Sequence, residues 1–455
     1  MSVVTIREYG VLFPDDVDTT AVKKDIDSRV ISKTAWDWLL KETGADAHKF
    51  LVRPFRRSGL LCLQVMNYVG VITTPCGCQI EVLPKIYAGD SSAKGELELG
   101  RDKLYTMLCS IGSLPFKTFH QASLKLFEKP LPEVLIHQFL MDTRKLIKQG
   151  IRNDYVALRE EAPFLRGKLQ LAAQVRQPVA RQHLFQIEHD EFLPDRAENR
   201  LIHSALIAVS KYSKTNSNKR LANELLFMFD EIPISRNKKM DFSKWQLKDR
   251  SMVHYRPLKR WCELVLNQQS PFSLAGDSSG LSFLFPMNVL FEKYVAVVLR
   301  KQLSDGYELE EQVASKHLVE KFGEFGKQKF QLKPDLVIKK KEEDISSVLD
   351  TKWKRVDEND EASKYGVSQS DMYQMFAYGK KYLNDGKGSL FLIYPESEKF
   401  QAALPVFRFE EGLNLWVVPF KWSTLKGEEG YVEFGSTSSE FIEQNKQEKH
   451  SMRPH

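Results

Sequence analysis

Lys333 to Lys354 read KPDLVIKKKEEDISSVLDTKWK, and the reading of this stretch decides how the last third of the chain folds. Two apolar runs, Phe330 to Ile338 and Ser347 to Trp353, flank a charged turn. Alternate side chains of an extended strand share a face. Leu332, Leu336 and Ile338 are therefore expected to face one way and Asp335 the other. On the second strand Asp350 and Lys352 share a face, and Leu349, Thr351 and Trp353 point opposite. A turn centred on Glu342 and Glu343 sets Asp335 directly across from Asp350, so two carboxylates and a lysine converge on one surface. Two carboxylates suit Mg²⁺, which keeps several waters and binds through one or two carboxylates plus substrate phosphate. Such an ion acidifies a bound water and offsets charge growing on a phosphodiester. The plainer reading of the same spacing is a surface hairpin with an Asp350–Lys352 salt bridge.

The flanking segments add to the first reading. SQSDMYQMFAYGKKY places Gln374 and Tyr378 four apart, on one face of a helix. PMNVLFEKYVAVVLRKQL reads as a helix with an apolar stripe of Leu290, Tyr294, Val295, Val298 and Leu299. Glu292 lies at the edge of that stripe, aimed at a site or simply flanking the core. The order helix-Glu292, strand-Pro334-Asp335, strand-Asp350-Thr351-Lys352, helix-Gln374-x-x-x-Tyr378 resembles the PD-(D/E)xK nuclease superfamily, and its last motif resembles the RecB-like branch. Asp350 stands where many members carry Glu, which leaves the metal geometry open. The resemblance implies Mg²⁺ (with Mn²⁺ as a substitute) on Asp335 and Asp350, and Glu292 as a further ligand or a water-mediated neighbour. It implies that Lys352 positions or activates the nucleophile, and that Gln374 and Tyr378 orient the substrate backbone or the lysine.

Composition sets the wider frame. At 455 residues the chain has room for several domains, and its 42% apolar and 28% charged content suits an ordinary globular protein. No run approaches the roughly 18 uninterrupted apolar residues of a membrane helix. MSVVTIREYG lacks the basic start and apolar centre of a signal peptide, so a cytoplasmic protein with no membrane contact is expected. A net charge of +6 permits nucleic-acid binding without demanding it. Arg53-Arg56-Arg57, Lys339-Lys340-Lys341 and Lys380-Lys381 are the basic clusters, each of which reads most simply as a solvated face. Cys62, Cys76, Cys78, Cys109 and Cys262 form no regular framework, and Cys76-Gly77-Cys78 is too closely spaced for the usual zinc pair. Reduced thiols and no zinc are expected.

The fold class expected is multidomain α+β. Residues 1–90 read as a β-rich partner-contact domain, with a short helix over Ser32 to Thr43 and a hairpin turn at Pro75-Cys-Gly-Cys. Ala88 to Gly100, AGDSSAKGELELG, reads as a polar loop or linker. Residues 101–271 read as a mainly helical middle domain, with Gly150 ending one helix and the strand-like runs FLRGKLQLAAQV and RQHLFQIEHDEFLPD interrupting the helices. Its Arg166-Gly167-Lys168 and Asp190-Glu191 steps are expected in a buried polar network between domains. Residues 272–425 form the α/β piece with a mixed sheet, its later strands at Ser389–Tyr394 and Leu413–Phe420. Residues 436–455 read as a polar, disordered tail.

IREYGVL at 6–12, NYVGVI at 67–72, IEVLPKI at 80–86, LRGKL at 165–169 and HDEFLPDRAENRLIHSAL at 189–206 resemble the McrC family. With the C-terminal motifs, the likeness spans nearly the whole chain. It implies the nuclease subunit of a modification-dependent restriction system. Its partner would be an McrB-like AAA+ GTPase ring that reads the double-stranded DNA and whose GTP hydrolysis the subunit stimulates through its N-terminal part. The residues themselves agree on one point: the chain contains no G-x-x-x-x-G-K-[ST] phosphate loop, so any motor comes from another chain. Two other readings remain. The chain could be a non-catalytic adaptor that activates the ring and binds DNA through a nuclease fold. It could also be a stand-alone repair nuclease, but these often carry a cysteine-held iron–sulfur cluster and the cysteines here do not bracket the core.

Overall fold

The structure, a computed structural model, describes residues 3–16, 25–43, 51–57, 59–86, 93–111, 129–245, 250–267, 283–320, 328–340, 345–423, 425 and 427–434. The expected turn at Glu342–Glu343, Lys341 of the triple-lysine run and the expected tail from Ser436 lie outside these residues. The chain divides into two compact units, Met1–Lys129 with Leu284–His455, and Pro130–Phe283.

The first unit opens with β1 (Val4–Arg7), β2 (Val11–Pro14), β3 (Ser28–Ile31), α1 (Lys33–Thr43), β4 (Val52–Arg57), β5 (Leu60–Val65), β6 (Tyr68–Thr73) and β7 (Gln79–Leu83). Two sheets result, one ordered β3-β2-β5-β4 and one containing β1-β7-β6. Helix α1 turns Ala35, Trp36 and Leu39 inward onto Ile6, Leu12, Leu63, Val65, Ile80 and Val82, the three- and four-residue steps of one helix meeting the alternation of the strands. The β6–β7 hairpin turns where expected, with Thr74 N–H donating to Cys78 O at 2.9 Å. Gly10 permits the sharp link from β1 to β2: a Cβ there would stand 2.5 Å from Ile6 Cγ1 and 2.7 Å from Arg7 O.

The polar stretch expected as a linker is in part a helix. Helix α2 spans Ala93–Ser110. Its polar start is held by tertiary charge pairs that no local pattern reveals: Arg7 Nη1 donates to Glu96 Oε2 at 2.9 Å, and Arg101 Nη2 donates to buried Glu81 Oε2 at 2.6 Å. Gly100 lies against Leu83 and Pro84 at the end of β7.

The second unit comprises α3 (Leu131–Gln149), β8 (Asp154–Ala162), β9 (Lys168–Leu169), α4 (Leu171–Val175), β10 (Phe185–Leu193), α5 (Ala197–Tyr212), α6 (Asn216–Phe227), α7 (Lys238–Lys244) and α8 (Arg256–Asn267). Gly150 ends α3 with φ 97°. The helices pack around Phe139 and Trp261, ring centroids 6.3 Å apart, with the indole N–H donating to Asp142 Oδ2 at 2.9 Å. Strands β8, β10 and β9 form a three-stranded sheet in that order. The expected strand through FLRGKLQLAAQV is a two-residue strand followed by the short α4, since LAAQV carries helix formers and no strand partner. Arg166, Lys168, Asp190 and Glu191 are exposed. The expected buried polar network is therefore corrected: on a three-stranded sheet with few buried residues these side chains meet water, and Arg166 meets His189.

The first unit resumes with β11 (Phe283–Pro286), which joins β6, then α9 (Met287–Gln302), β12 (Tyr307–Glu311), β13 (Lys316–Glu320), β14 (Gln328–Leu332), β15 (Leu336–Lys340), β16 (Ile345–Thr351), α10 (Gln369–Tyr382), β17 (Gly388–Pro395), β18 (Phe407–Glu410), β19 (Leu413–Lys421) and β20 (Tyr431–Val432). A seven-stranded sheet runs β12-β15-β16-β17-β19-β18, with β20 on β19. It is mixed: β15 and β16 are antiparallel, whereas β16, β17 and β19 are parallel. Helix α10 covers one face, packing Met375, Tyr378 and Tyr382 on Val348, Leu390, Leu392 and Leu415. Helix α9 covers the other, with Phe291 5.6 Å from Phe420 and 5.1 Å from Trp353. Among the described residues no helix is long and apolar enough to cross a membrane.

Phe330 to Ile338 is not one strand. β14 ends at Leu332 and pairs with β13, and β15 begins at Leu336 in the large sheet. Pro334 removes a ladder donor between them. The break changes the facing: Leu332 packs with Val337 in the cluster under α10, and not with Leu336 and Ile338.

Candidate active site

The β15–β16 ladder pairs Leu336 with Leu349, Val337 with Val348 and Ile338 with Ser347. Asp335 lies one residue outside this ladder, before Leu336, and its charge acts on Asp350. A bulge after Ile338 takes up the irregularity on the turn side, so the acid end keeps its pairing.

Asp350 sits near the carboxyl end of β16, on the face covered by α10, and is 1% exposed. Lys352 Nζ contacts its Oδ2, and its buried Oδ1 has no hydrogen-bond partner. Asp335 is half-buried and turned toward the strand end: its Oδ2 accepts from Thr351 N–H at 2.7 Å and from Thr351 Oγ1 at 2.8 Å. Lys352 N–H donates to Ile393 O at 2.9 Å, extending the parallel pairing beyond β16, while its Nζ donates to Gln374 Oε1 at 3.1 Å. Gln374 Nε2 donates to Tyr378 OH at 2.7 Å, and Tyr378 OH donates to Lys333 O at 2.9 Å. A continuous chain of bonds thus runs from Asp350 through Lys352, Gln374 and Tyr378 to the backbone just before Asp335. Ser368 caps α10 by accepting from Asp371 N–H at 3.2 Å, which fixes where Gln374 and Tyr378 begin their turn.

Glu292 stands on α9 and accepts from Gln312 Nε2 at 2.8 Å. Gln312 N–H also donates to Asp335 O at 2.8 Å, so one residue ties Glu292 and Asp335 together. Among the described residues no group of three or more His, Cys, Asp or Glu is gathered to hold an ion. The Asp335 charge acts on both Asp350 and Glu292.

The electrostatics match that crowding. Burial, reinforced by the nearby Asp335 charge, pushes Asp350 up to about 7 even against Lys352. Burial works against the Lys352 charge, but Asp350 outweighs it and raises the ammonium. Burial and then Asp335 raise Glu292. A buried carboxylate pushed up by burial and a neighbouring acid, with one oxygen lacking a donor, suits a hard divalent cation bound through oxygen. The residues present fit such an ion.

Three contributors carry no sequence signal of their own. Thr351 looks like an ordinary strand residue facing away from the acids, yet both its donors hold Asp335. Gln312 adopts φ 49°, a conformation its residue type does not announce. Glu8 is fully buried in the first β part, with its Oε1 accepting from Trp353 Nε1 at 2.7 Å and from Lys85 N–H at 2.8 Å. It therefore braces the residue after Lys352 across most of the chain length. Burial raises Glu8 to about 7, and its Oε2 is buried without a hydrogen-bond partner.

With the fold and this geometry in place, the known proteins it resembles become informative. Residues 63–395 match the family model described as McrBC 5-methylcytosine restriction system component, and the chain belongs to that family. Among curated proteins it has no significant match. Its fold is similar to a chain in the refined half-complex from the tetradecameric assembly of Thermococcus gammatolerans McrB AAA+ hexamers with bound McrC. There the TM-score is 0.65 at 20% identity, covering 92% of this chain and 94% of that one. The cryo-EM structure of the Thermococcus gammatolerans McrBC complex matches with a TM-score of 0.47 at 20% identity, over 66% of this chain and 87% of that one.

Proposed function

We propose that the chain is the McrC-type, Mg²⁺-dependent endodeoxyribonuclease subunit of a cytoplasmic restriction complex, with a PD-(D/E)xK core that cuts double-stranded DNA by phosphodiester hydrolysis. One observation carries this reading. Buried Asp350 feels the charge of Asp335 at the end of β15, with Lys352 on Asp350 and Gln374 on Lys352. Asp335 and Asp350 would hold Mg²⁺, or Mn²⁺ in its place, and Glu292, linked to Asp335 through Gln312, would be a further or water-mediated ligand. A metal bound there supplies an acidified water and offsets phosphate charge. Lys352, held between Asp350 and Gln374, orients the attacking water and meets charge growing on the phosphate. Tyr378 fixes Gln374 and the backbone before Asp335, so the lysine and the acids keep a common frame.

Family membership and the shared fold support a partner of the McrB type, an AAA+ GTPase ring, whose GTP hydrolysis this chain stimulates. The test uses the chain with that ring, GTP, Mg²⁺ and modified duplex DNA. Asp350→Asn and Lys352→Ala are each expected to slow cutting by about 10²- to 10³-fold while leaving stimulated GTP hydrolysis unchanged. Full cutting by both variants removes the nuclease reading. Stimulated GTP hydrolysis without strand scission by the parent chain favours the adaptor.

A further inference from the structure

The described parts of β13 and β14 form a two-stranded ribbon apart from the three larger sheets of the first unit, pairing only with each other. Nearly all of its residues are exposed. Its ladder pairs Lys316 with Leu332, His317 with Gln331, Val319 with Lys329 and Glu320 with Gln328. Between the second and third of these pairs stand Leu318 and Phe330, 42% and 74% exposed, and Val319 beside them is 46% exposed. Phe330 holds φ 57°, a left-handed backbone that a bulky aromatic rarely adopts. A ribbon with apolar side chains in water on both strands gains nothing from folding that way alone.

The base of the ribbon is anchored to the candidate active site. Tyr382 OH donates to Leu332 O at 2.7 Å and contacts Val313 O at 2.9 Å, and Tyr378 OH holds Lys333 O. Asp335 follows two residues later. The described residues of the ribbon and its exit carry Lys316, Lys329 and Lys333 against Glu320, a cationic balance. A two-stranded ribbon is also of a size that the major groove, about 12 Å wide, admits.

We propose that the β13–β14 ribbon is a DNA-groove element that enters the major groove beside the phosphate being cut. Lys316 and Lys329 contact the backbone, and Leu318 and Phe330 lie against base edges. This rests on the nuclease reading and names the surface by which that site takes duplex rather than single-stranded substrate.

The test is binding, which needs no cutting, so it fails separately from the nuclease reading. The full chain carrying Asp350→Asn is titrated with a fluorescent duplex over a range of salt concentrations. Adding Lys316→Ala with Lys329→Ala is expected to flatten the slope of log affinity against log salt by about 2, roughly one per lost phosphate contact. Phe330→Ser is expected to weaken binding at every salt concentration and leave the slope unchanged. Thermal unfolding of both variants should match the parent, since these side chains are exposed. A lysine variant that keeps the parent slope overturns the proposal, as does the absence of duplex binding by the Asp350→Asn chain.

Discussion

Two hairpins lie end to end in this chain, β13–β14 and β15–β16, joined by Lys333-Pro334-Asp335. The first is exposed along nearly its whole length, and the second is buried along most of β16 and the start of β15. Their apolar content does not separate them, because Leu318, Val319 and Phe330 sit in water while Val337, Val348 and Leu349 are fully buried. The difference is neighbours. β16 has β17 beside it and a helix on each face, whereas the ribbon has no third strand and touches α10 only at its base, through Tyr382 and Leu332. The lesson is that an apolar strand left in water and an acid driven into a core are complementary exceptions, and here they adjoin.

The contrast can be broken or sharpened by substitution. Leu349→Ala removes a fully buried side chain and should cost about 3 kcal/mol in denaturant unfolding. A cost below about 1 kcal/mol would mean the β15–β16 pair is not packed as described. Glu8→Gln should stabilise the chain at pH 8. The carboxyl titrates near 7 in the fold against an ordinary value near 4.5, so the folded state holds the extra proton between those values. Stability contributed by the protonated form is complete below pH 4.5 and lost as pH rises through 7. The gain from the amide should therefore reach up to about 3 kcal/mol at pH 8 and vanish below pH 4.5. Unfolding midpoints measured across that range check both ends. Thr351→Val leaves the backbone donor to Asp335 but deletes the hydroxyl. It should slow cutting about tenfold and shift half-saturating Mg²⁺ upward, as loss of a group orienting a ligand does. An unchanged metal dependence would separate Thr351 from the acids. Leu318→Ser, on the ribbon, should change stability by no more than about 0.5 kcal/mol.

Much of this arrangement is readable in the residues, for a physical reason. Strand alternation and helix period are local rules, so the Asp350–Lys352 contact, the Gln374–Tyr378 bond and the β15–β16 pairing of Leu336 with Leu349 follow from spacing over a short span. The mixed sheet follows from the same elements. What escapes the sequence depends on distant approach. Helix α2 looks like a linker until Arg7 and Glu81 are set beside it. The break at Pro334 hides within an apolar run that alternates plausibly on both sides. Thr351, Gln312 and Glu8 are common residue types whose roles come from where the backbone carries them. The polar steps in the second unit are exposed because their sheet has little to bury them against, which composition alone does not show.

A nuclease centre here requires Asp335 and Asp350 to share a divalent cation. Anomalous diffraction from crystals of the chain soaked in Mn²⁺ measures this directly. One Mn²⁺ peak within about 2.3 Å of a carboxylate oxygen of each aspartate is the predicted result. Saturating Mn²⁺ with no density between the two side chains, and Lys352 still seated on Asp350, would contradict it.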